Sequence, residues 1–139
     1  MIKKHGSAEW RGGLKDGTGR ISTESGALAG QPYGFNTRFE DQAGTNPEEL
    51  IGAAHAACFS MAFSNILGSK GIVPDKIETK SVISLSMEDG PSIEAAHLVV
   101  TVQADGPQDE IEACAKEAET GCPVSKVLDC KITMDLTVA

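Results

Sequence analysis

The chain has 139 residues, which is enough for one domain with a hydrophobic core and too few for two ordinary domains. Hydrophobic residues make up 40% of the chain and charged residues 23%, a composition typical of globular proteins and not of disordered ones. The formal net charge of −8 would repel phosphate backbones, which excludes nucleic acid as an expected partner.

Three segments near the N-terminus have the pattern of short strands. Residues 7–13 and 17–26 partly alternate and are bounded by glycine, which predicts two strands joined by a turn. Residues 33–41, YGFNTRFED, place the aromatic side chains on one face and Arg38 on the other. This alternation predicts a third strand.

A long central helix is predicted next. Asn46 is a good N-cap, and Pro47 suits the first helical position. Glu49, at the third position, completes an Asn-x-x-Glu variant of the capping box. Gly68 and Gly71 predict the end of the helix.

The remaining segments predict a hairpin, a helix, a short helical turn and a final strand. Two long alternating segments are separated by EDGPS, which is typical of a hairpin. The next segment has acidic residues in its first turn and glycine at its end, which favours a helix. In chain order the segments are residues 76–87, 92–104, 106–121, 122–129 and 130–138. The order βββ-α-ββ-α-β predicts an α+β protein with mainly antiparallel sheet, in a single domain of residues 1–139.

The central helix is apolar around its whole circumference, because no charged residue occurs between Glu49 and Lys70. At about 100° per residue, the face of Cys58 holds Ile51, Ala54, Met61 and Ala62, and the opposite side holds Ala56, Phe63 and Leu67. Such a helix must be enclosed on all sides. One small domain has difficulty enclosing it alone, so we expect a central buried helix that a second copy of the chain helps to cover.

Two features predict a cytoplasmic protein without a membrane partner. Residues 50–69 are long enough to span a bilayer, but they include His55, Asn65, three serines and two glycines, which favours burial in protein. The first residues, MIKKHGSAEWRGG, lack the apolar stretch of a secretory signal. In the cytoplasm we expect the four cysteines to be reduced core residues or redox-active groups, and not a disulfide framework.

Cys58, in the middle of the uncharged run, allows three interpretations. Free cysteine is often a small buried hydrophobe, and burial raises the thiol pKa, which makes it inert. A nucleophilic Cys58 therefore needs a nearby positive charge, from His55 or, better, from an arginine that keeps its proton. As a metal ligand, Cys58 could act with His55, one turn away. The chain has no Cys-x-x-Cys, however, and the other ligand types show no zinc-site spacing: His5, His97, Cys114, Cys122 and Cys130.

Three stretches resemble the signature segments of a known family. They are PYGFNTRFE at residues 32–40, GTNPEELIGAAHAACFSMA at residues 44–62 and GCPVSKVL at residues 121–128. Together with STESG in the second predicted strand and the order of elements, they resemble the OsmC/Ohr family, the osmotically inducible and organic-hydroperoxide-resistance proteins. The match is closest to the OsmC branch and covers nearly the whole chain.

The resemblance implies a fold, an assembly and an activity. It implies an OsmC-like fold in an intertwined homodimer with two interface sites, and a cysteine peroxidase that prefers organic hydroperoxides, active in oxidative and osmotic stress. By motif, Cys58 in HAACF is the peroxidatic cysteine and Cys122 in GCPVS the resolving one. Arg38 in NTRFE and Glu48 in NPEEL are the charged pair that prepares the site. No bound cofactor or metal is implied, and the reductant is an external dithiol such as a lipoyl group.

The residue types suit this chemistry. A thiolate attacks the outer peroxide oxygen and becomes a sulfenic acid. Arg38 would lower the pKa of Cys58 below about 8.5, the value of a free thiol. Glu48 would hold the guanidinium through a charge-assisted pair. Cys122 would then close a disulfide, which a thiol reductant reopens.

The resemblance assigns no role to Cys114, Cys130 or His55, and a second class of function stays open. Cys114 and Cys130 match no family motif, so we expect both to pack in the core. His55 is expected to be structural or a pocket wall, with direct proton transfer as the alternative. A different class of function is a binding protein whose apolar interface cleft holds a lipid-like ligand without turnover.

Helix geometry predicts which chain supplies each site residue. Glu48 lies ten residues before Cys58, so about 15 Å separates them along the helix axis, and a glutamate side chain reaches about a third of that. We therefore predict that each site takes Cys58 and Cys122 from one chain and Arg38 and Glu48 from the other, in a dimer whose central helices pack antiparallel.

Overall fold

A computed structural model describes residues 1–139. The chain forms two compact units, Met1–Leu50 and Ile51–Ala139. That residues 1–139 form a single domain stays a prediction. In chain order the elements are β1 (Gly6–Arg11), β2 (Thr18–Thr23), β3 (Gln31–Tyr33), α1 (Phe35–Phe39), α2 (Pro47–Ser69), β4 (Pro74–Ser86), β5 (Ser92–Ala104), α3 (Gln108–Gly121), α4 (Pro123–Val127) and β6 (Lys131–Val138).

The first unit contains a three-stranded antiparallel sheet in the order β1-β2-β3. The two predicted N-terminal strands are confirmed as β1 and β2, with Arg11 opposite Thr18 across the turn. Gly19 lies where the rings of Trp10 and Tyr33 meet, and a side chain there would overlap both rings. A glycine in this strand therefore has a packing reason.

The predicted third strand is wrong over most of its length. Strand β3 ends at Tyr33, and Phe35–Phe39 is a short helix, α1. The hydroxyl of Thr37 accepts a hydrogen bond from Gly34 N at 2.9 Å and donates one to Gly34 O at 3.0 Å, which holds the first turn. Phe35 and Phe39, four residues apart, have ring centroids 5.0 Å apart, so the aromatic spacing suits a helix as well as a strand.

The predicted boundaries of the central helix are confirmed. Glu49 N donates to Asn46 Oδ1 at 2.8 Å, which is the expected N-cap bond. At the other end, Ile72 N donates to Leu67 O at 3.0 Å, and Gly71 has a φ of 74°. This left-handed residue ends the helix without steric strain because glycine has no Cβ.

The second unit contains a three-stranded sheet in the order β4-β5-β6. Strands β4 and β5 form the predicted antiparallel hairpin, and β6 runs parallel to β5. The α+β class with mainly antiparallel sheet is therefore confirmed. The core is formed by one face of α2, the inner side of β5 and one face of α3: Phe59, Phe63, Leu67, Leu98, Val100, Val102, Ile111, Ala115 and Ala118.

Helix α2 is buried on one face only. Its buried residues follow helical spacing and are Gly52, His55, Phe59, Phe63 and Leu67. Met61, on the face of Cys58, is 77% exposed. Helix α2 is long and apolar enough to cross a membrane by length and composition alone, and the buried core helices of soluble proteins share this property. The apolar exposed face is what the predicted second copy would cover, and the homodimer itself stays a prediction.

Gly52 sets how closely α2 approaches β4. A methyl group at Gly52 would lie 2.8 Å from the carbonyl oxygen of Ser81, whereas Gly68 on the same helix faces open space. We expect Gly52→Ala to lower the free energy of unfolding by about 1–3 kcal/mol through this overlap. The matched control Gly68→Ala should raise it by up to about 1 kcal/mol through helix propensity. Urea unfolding measures both values, and stabilisation by both substitutions would contradict the close contact.

Candidate active site

Arg38 and Glu48 form an ion pair in the first unit. Arg38 is on α1 and Glu48 is in the first turn of α2. Arg38 Nη2 donates to Glu48 Oε1 at 2.8 Å, and Nε lies 3.2 Å from both carboxylate oxygens. Glu48 is 13% exposed and Arg38 35% exposed, so the pair is partly shielded from water. This fork geometry holds the guanidinium plane in one orientation.

The aromatic residues of the first unit form a small apolar pocket beside Arg38. Its volume is about 270 Å³, and it is lined by Trp10, Leu14, Tyr33, Gly34, Phe35, Arg38 and Phe39. The guanidinium carbon of Arg38 lies 5.1 Å from the centroid of the Phe39 ring. A cation over an aromatic face is stabilised by the ring quadrupole, so Phe39 also restrains Arg38.

Cys58 and Cys122 lie together in the second unit. Cys58 is on α2 and is partly exposed, whereas Cys122 is fully buried at the N-cap of α4. Cys58 opens into a cleft of about 650 Å³, whose mostly apolar lining includes Met61, Ala62, Asn65, Ile66, Gly121 and Pro123, with Glu117 and Lys126 as its charged members. The resemblance paired these two cysteines, and the fold brings them to one place.

The surroundings of Cys58 raise its pKa. Burial is the main cause, the Cys122 thiol adds to the increase, and the backbone N–H of Val124 opposes it. None of these groups is a cation. The predicted low pKa of Cys58 is therefore not produced by these groups.

His55 is fully buried and both of its ring nitrogens are bonded. Nδ1 lies 2.7 Å from Ser81 Oγ on β4, and Nε2 lies 2.8 Å from Ser125 Oγ on α4. Burial lowers the pKa of His55 from its ordinary value of 6.5, so the ring is neutral at pH 7. Because neither nitrogen is free, the interpretation of His55 and Cys58 as a metal-binding pair is disfavoured.

Ser125 and Ser81 are site residues that the sequence interpretation missed. Ser125 N donates to Cys122 Sγ at 3.3 Å, and the Cys122 thiol donates to Ser125 Oγ at 3.1 Å. Ser125 stands three positions after a capping cysteine, which is a local signal that could have identified it. Ser81 reaches His55 only through the packing of β4 on α2, and no local pattern marks it.

Comparison with known proteins decides the family. The family model described as "OsmC-like protein" matches residues 39–137. The chain is therefore a member of the OsmC-like family.

The relatives of this OsmC-like protein share its length and fold. It is 52% identical to "Peroxiredoxin OsmC" of Escherichia coli over 96% of this chain and 95% of that protein. It is 34% identical to the organic hydroperoxide resistance protein OhrA of Bacillus subtilis over 68% and 67% of the two chains. The crystal structure of the organic hydroperoxide resistance protein OhrB of Bacillus subtilis matches with a TM-score of 0.72 and 26% identity, over 97% and 98% of the chains. An OsmC-like protein from Vibrio cholerae has the same fold, with a TM-score of 0.77 at 15% identity, over 99% and 100% of the chains.

The other two cysteines of the OsmC-like chain do not line the cleft of Cys58. Cys114 is 2% exposed and packs in the core with Ile111 and Ala118, as predicted. Cys130 is partly exposed, precedes β6 and is outside the core cluster, so the prediction of core packing is wrong for this residue. Burial raises the pKa of both thiols, and the carboxylate of Asp129 also raises that of Cys130. Raised pKa values make both thiols poor nucleophiles.

Proposed function

We propose that this protein is a thiol-dependent peroxidase that reduces organic hydroperoxides, with Cys58 as the peroxidatic and Cys122 as the resolving cysteine. The observation that carries the proposal is a partly exposed thiol that opens into a cleft and lies beside a buried thiol. A binding cleft needs no second thiol. The names "Peroxiredoxin OsmC" and "organic hydroperoxide resistance protein" of the relatives support the same chemistry.

The proposed cycle uses only sulfur chemistry of this chain and an external reductant. The Cys58 thiolate attacks the outer oxygen of the hydroperoxide, which breaks the O–O bond, releases an alcohol and leaves a sulfenic acid. Cys122 attacks this sulfur, and water is released as the disulfide forms. A dithiol reductant then restores both thiols by exchange. We expect no bound cofactor, and we propose a reductant of the lipoyl type.

The lining of the cleft favours a substrate with a hydrocarbon tail. Met61, Ala62 and Ile66 lie beside Cys58, and Met61 is exposed in the single chain. Apolar surface removed from water contributes about 25 cal/mol per Å², a gain that hydrogen peroxide cannot use. An organic hydroperoxide should therefore be a better substrate than hydrogen peroxide.

We further propose that Arg38 and Glu48 of a second copy complete each site in a homodimer. The exposed apolar face of α2 supports a partner that covers it. The ion pair supports a fixed guanidinium, which would lower the pKa of Cys58 and donate hydrogen bonds to the peroxide oxygens. All four cysteines are unpaired, which suits the reducing cytoplasm, where we expect the protein to act.

The Cys122→Ser variant tests the division of roles. It should consume about one equivalent of cumene hydroperoxide per chain and then stall, because its sulfenic acid has no resolving thiol. With one equivalent of peroxide, the unsubstituted protein should form a disulfide between Cys58 and Cys122. Peroxide titration and peptide mass spectrometry measure both results. Pairing of Cys58 with Cys114 or Cys130, or sustained turnover by Cys122→Ser, would contradict the assignment.

The same assay decides between the enzyme and the alternative of an apolar-ligand-binding protein. An enzyme consumes cumene hydroperoxide continuously with dihydrolipoamide, and faster than hydrogen peroxide. A binding protein would bind a fatty acid in the cleft of about 650 Å³ without consuming either peroxide. The absence of peroxide consumption by the unsubstituted protein would reject the proposed function.

A further inference from the structure

A continuous chain of hydrogen bonds leads away from Cys122. The Cys122 thiol donates to Ser125 Oγ at 3.1 Å, and Ser125 Oγ lies 2.8 Å from His55 Nε2. On the other side of the ring, His55 Nδ1 lies 2.7 Å from Ser81 Oγ. The chain begins at a fully buried thiol and ends at a partly exposed serine.

The His55 tautomer that carries its proton on Nδ1 satisfies every hydrogen bond in this series. In that tautomer the Cys122 thiol donates to Ser125, the Ser125 hydroxyl donates to His55 Nε2, and the proton on Nδ1 donates to Ser81. All donors point the same way, so two short proton shifts can move the Cys122 proton onto His55. After these shifts the Ser125 hydroxyl donates to the Cys122 thiolate and stabilises it.

Packing alone does not require a histidine at this position. The other buried residues on this face of α2 are Gly52, Phe59, Phe63 and Leu67, none of which has a polar side chain. An apolar side chain would avoid the desolvation of an imidazole and of two hydroxyls. The hydrogen bonds of His55 instead lead to the sulfur of Cys122, which must lose a proton before it can attack the Cys58 sulfenic acid.

We propose that His55 is a positioning residue for Cys122, and that it accepts the Cys122 proton through Ser125 in the resolution step. This inference rests on the proposed function and names the residues that control its second step. His55 touches neither the peroxide nor a reacting sulfur, so it acts only through Ser125.

The proposed step balances in atoms and charge. The Cys122 proton moves to Ser125 as the Ser125 proton moves to His55 Nε2. The thiolate attacks the sulfur of the Cys58 sulfenic acid, the S–S bond forms, and the S–O bond breaks. The Cys122 sulfur is oxidised and the Cys58 sulfur is reduced. Hydroxide leaves into the cleft while His55 releases its proton from Nδ1 through Ser81, and together they make one water molecule.

The groups bonded to His55 fit a proton acceptor that works near neutral pH. From β4 it meets the hydroxyl of Ser81, and from α4 the hydroxyl of Ser125. The titratable group reached through Ser125 is the thiol of Cys122. No carboxylate, lysine or arginine bonds to the ring, and burial alone shifts its pKa. The ring is therefore a free base over the pH range in which the proposed enzyme would act.

The test measures peroxide consumption and disulfide formation separately in two variants, Ser125→Ala and His55→Gln. One equivalent of cumene hydroperoxide is added without reductant, and peroxide consumption and disulfide formation are followed separately. We expect peroxide consumption within about twofold of the unsubstituted protein and disulfide formation slower by about 10- to 100-fold near pH 7. In the variants disulfide formation should rise about tenfold per pH unit, because hydroxide must then remove the thiol proton. The unsubstituted protein should already be on a plateau near pH 7, because burial lowers the pKa of His55 and leaves the ring deprotonated there.

Ser60→Ala is the matched control. Like His55, Ser60 is on α2, and its hydroxyl lies 2.7 Å from Thr79 Oγ1 on β4. Ser60 is not part of the series of hydrogen bonds that leads from Cys122 to Ser81. It should leave both steps unchanged. Disulfide formation at the unsubstituted rate in Ser125→Ala would overturn the inference, as would equal slowing of both steps or an unchanged pH profile. If His55→Gln does not fold, the result for Ser125→Ala decides alone. If the unsubstituted protein does not consume peroxide, the proposed function is rejected, and not only this inference.

Discussion

Replacing Cys58 by serine is expected to lower the rate of hydroperoxide reduction by at least about a thousandfold. A serine hydroxyl stays protonated at neutral pH and attacks peroxide oxygen poorly, whereas the proposed mechanism begins with a thiolate. The variant should also form no disulfide with Cys122 after treatment with peroxide. Steady-state consumption of cumene hydroperoxide with dihydrolipoamide, measured over the uncatalysed rate, checks the prediction.

Cys130→Ser is the matched control for this loss. Cys130 is also partly exposed and unpaired, and its pKa is also raised, but it lies outside the cleft of Cys58. It should keep activity within about twofold, because surface substitutions away from a site have small effects. Full activity of Cys58→Ser, or loss of activity in Cys130→Ser, would reject Cys58 as the peroxidatic residue.

Mixing Cys58→Ser chains with Arg38→Ala chains is expected to restore activity from near zero. If Cys58 of one chain meets Arg38 of the other, each mixed dimer has one doubly substituted site and one intact site. Random exchange of equal amounts should then recover about a quarter of the unsubstituted activity, because half of the dimers are mixed and half of their sites are intact. Arg38→Ala alone should be inactive, since burial keeps the pKa of Cys58 raised without the guanidinium.

A second mixture makes the test decisive. Cys58 and Cys122 lie together within one chain, so Cys58→Ser mixed with Cys122→Ser leaves every site of a mixed dimer with one cysteine missing. This mixture should restore no sustained turnover. Native mass spectrometry of mass-tagged chains confirms that exchange occurs. No recovery in the first mixture despite complete exchange would rule out the shared site.

Local sequence signals determined most of the elements. The Asn46 cap, the proline after it and Gly71 mark both ends of α2 through local hydrogen bonds and backbone conformation, and the structure has these features. The alternation of apolar and polar residues predicted the hairpin of β4 and β5, because successive side chains of a strand point to opposite faces whatever the rest of the fold is. The motif residues around Cys58 and Cys122 identified the family that the comparison confirmed.

The alternation of aromatic and polar residues in residues 33–41 predicted a strand wrongly, because this spacing also suits a helix. Phe35 and Phe39 suit one face of a strand and also stand one turn apart in a helix. The hydroxyl of Thr37, bonded to both backbone groups of Gly34, favours the helix. Arg38 therefore reaches Glu48 from a short helix and not from the strand that the pattern predicted.

What the sequence determined by itself was most of the elements, the family and the identity of the candidate cysteines, because these depend on residue type and on local spacing. Only the tertiary structure decided which residues surround them. Ser81, His55 and Ser125 are separated by tens of positions in the chain, and packing of β4 and α4 against α2 brings their polar atoms within hydrogen-bonding distance. Burial of Cys58 and its raised pKa are likewise properties of the packed core, since desolvation depends on how much water the whole fold excludes.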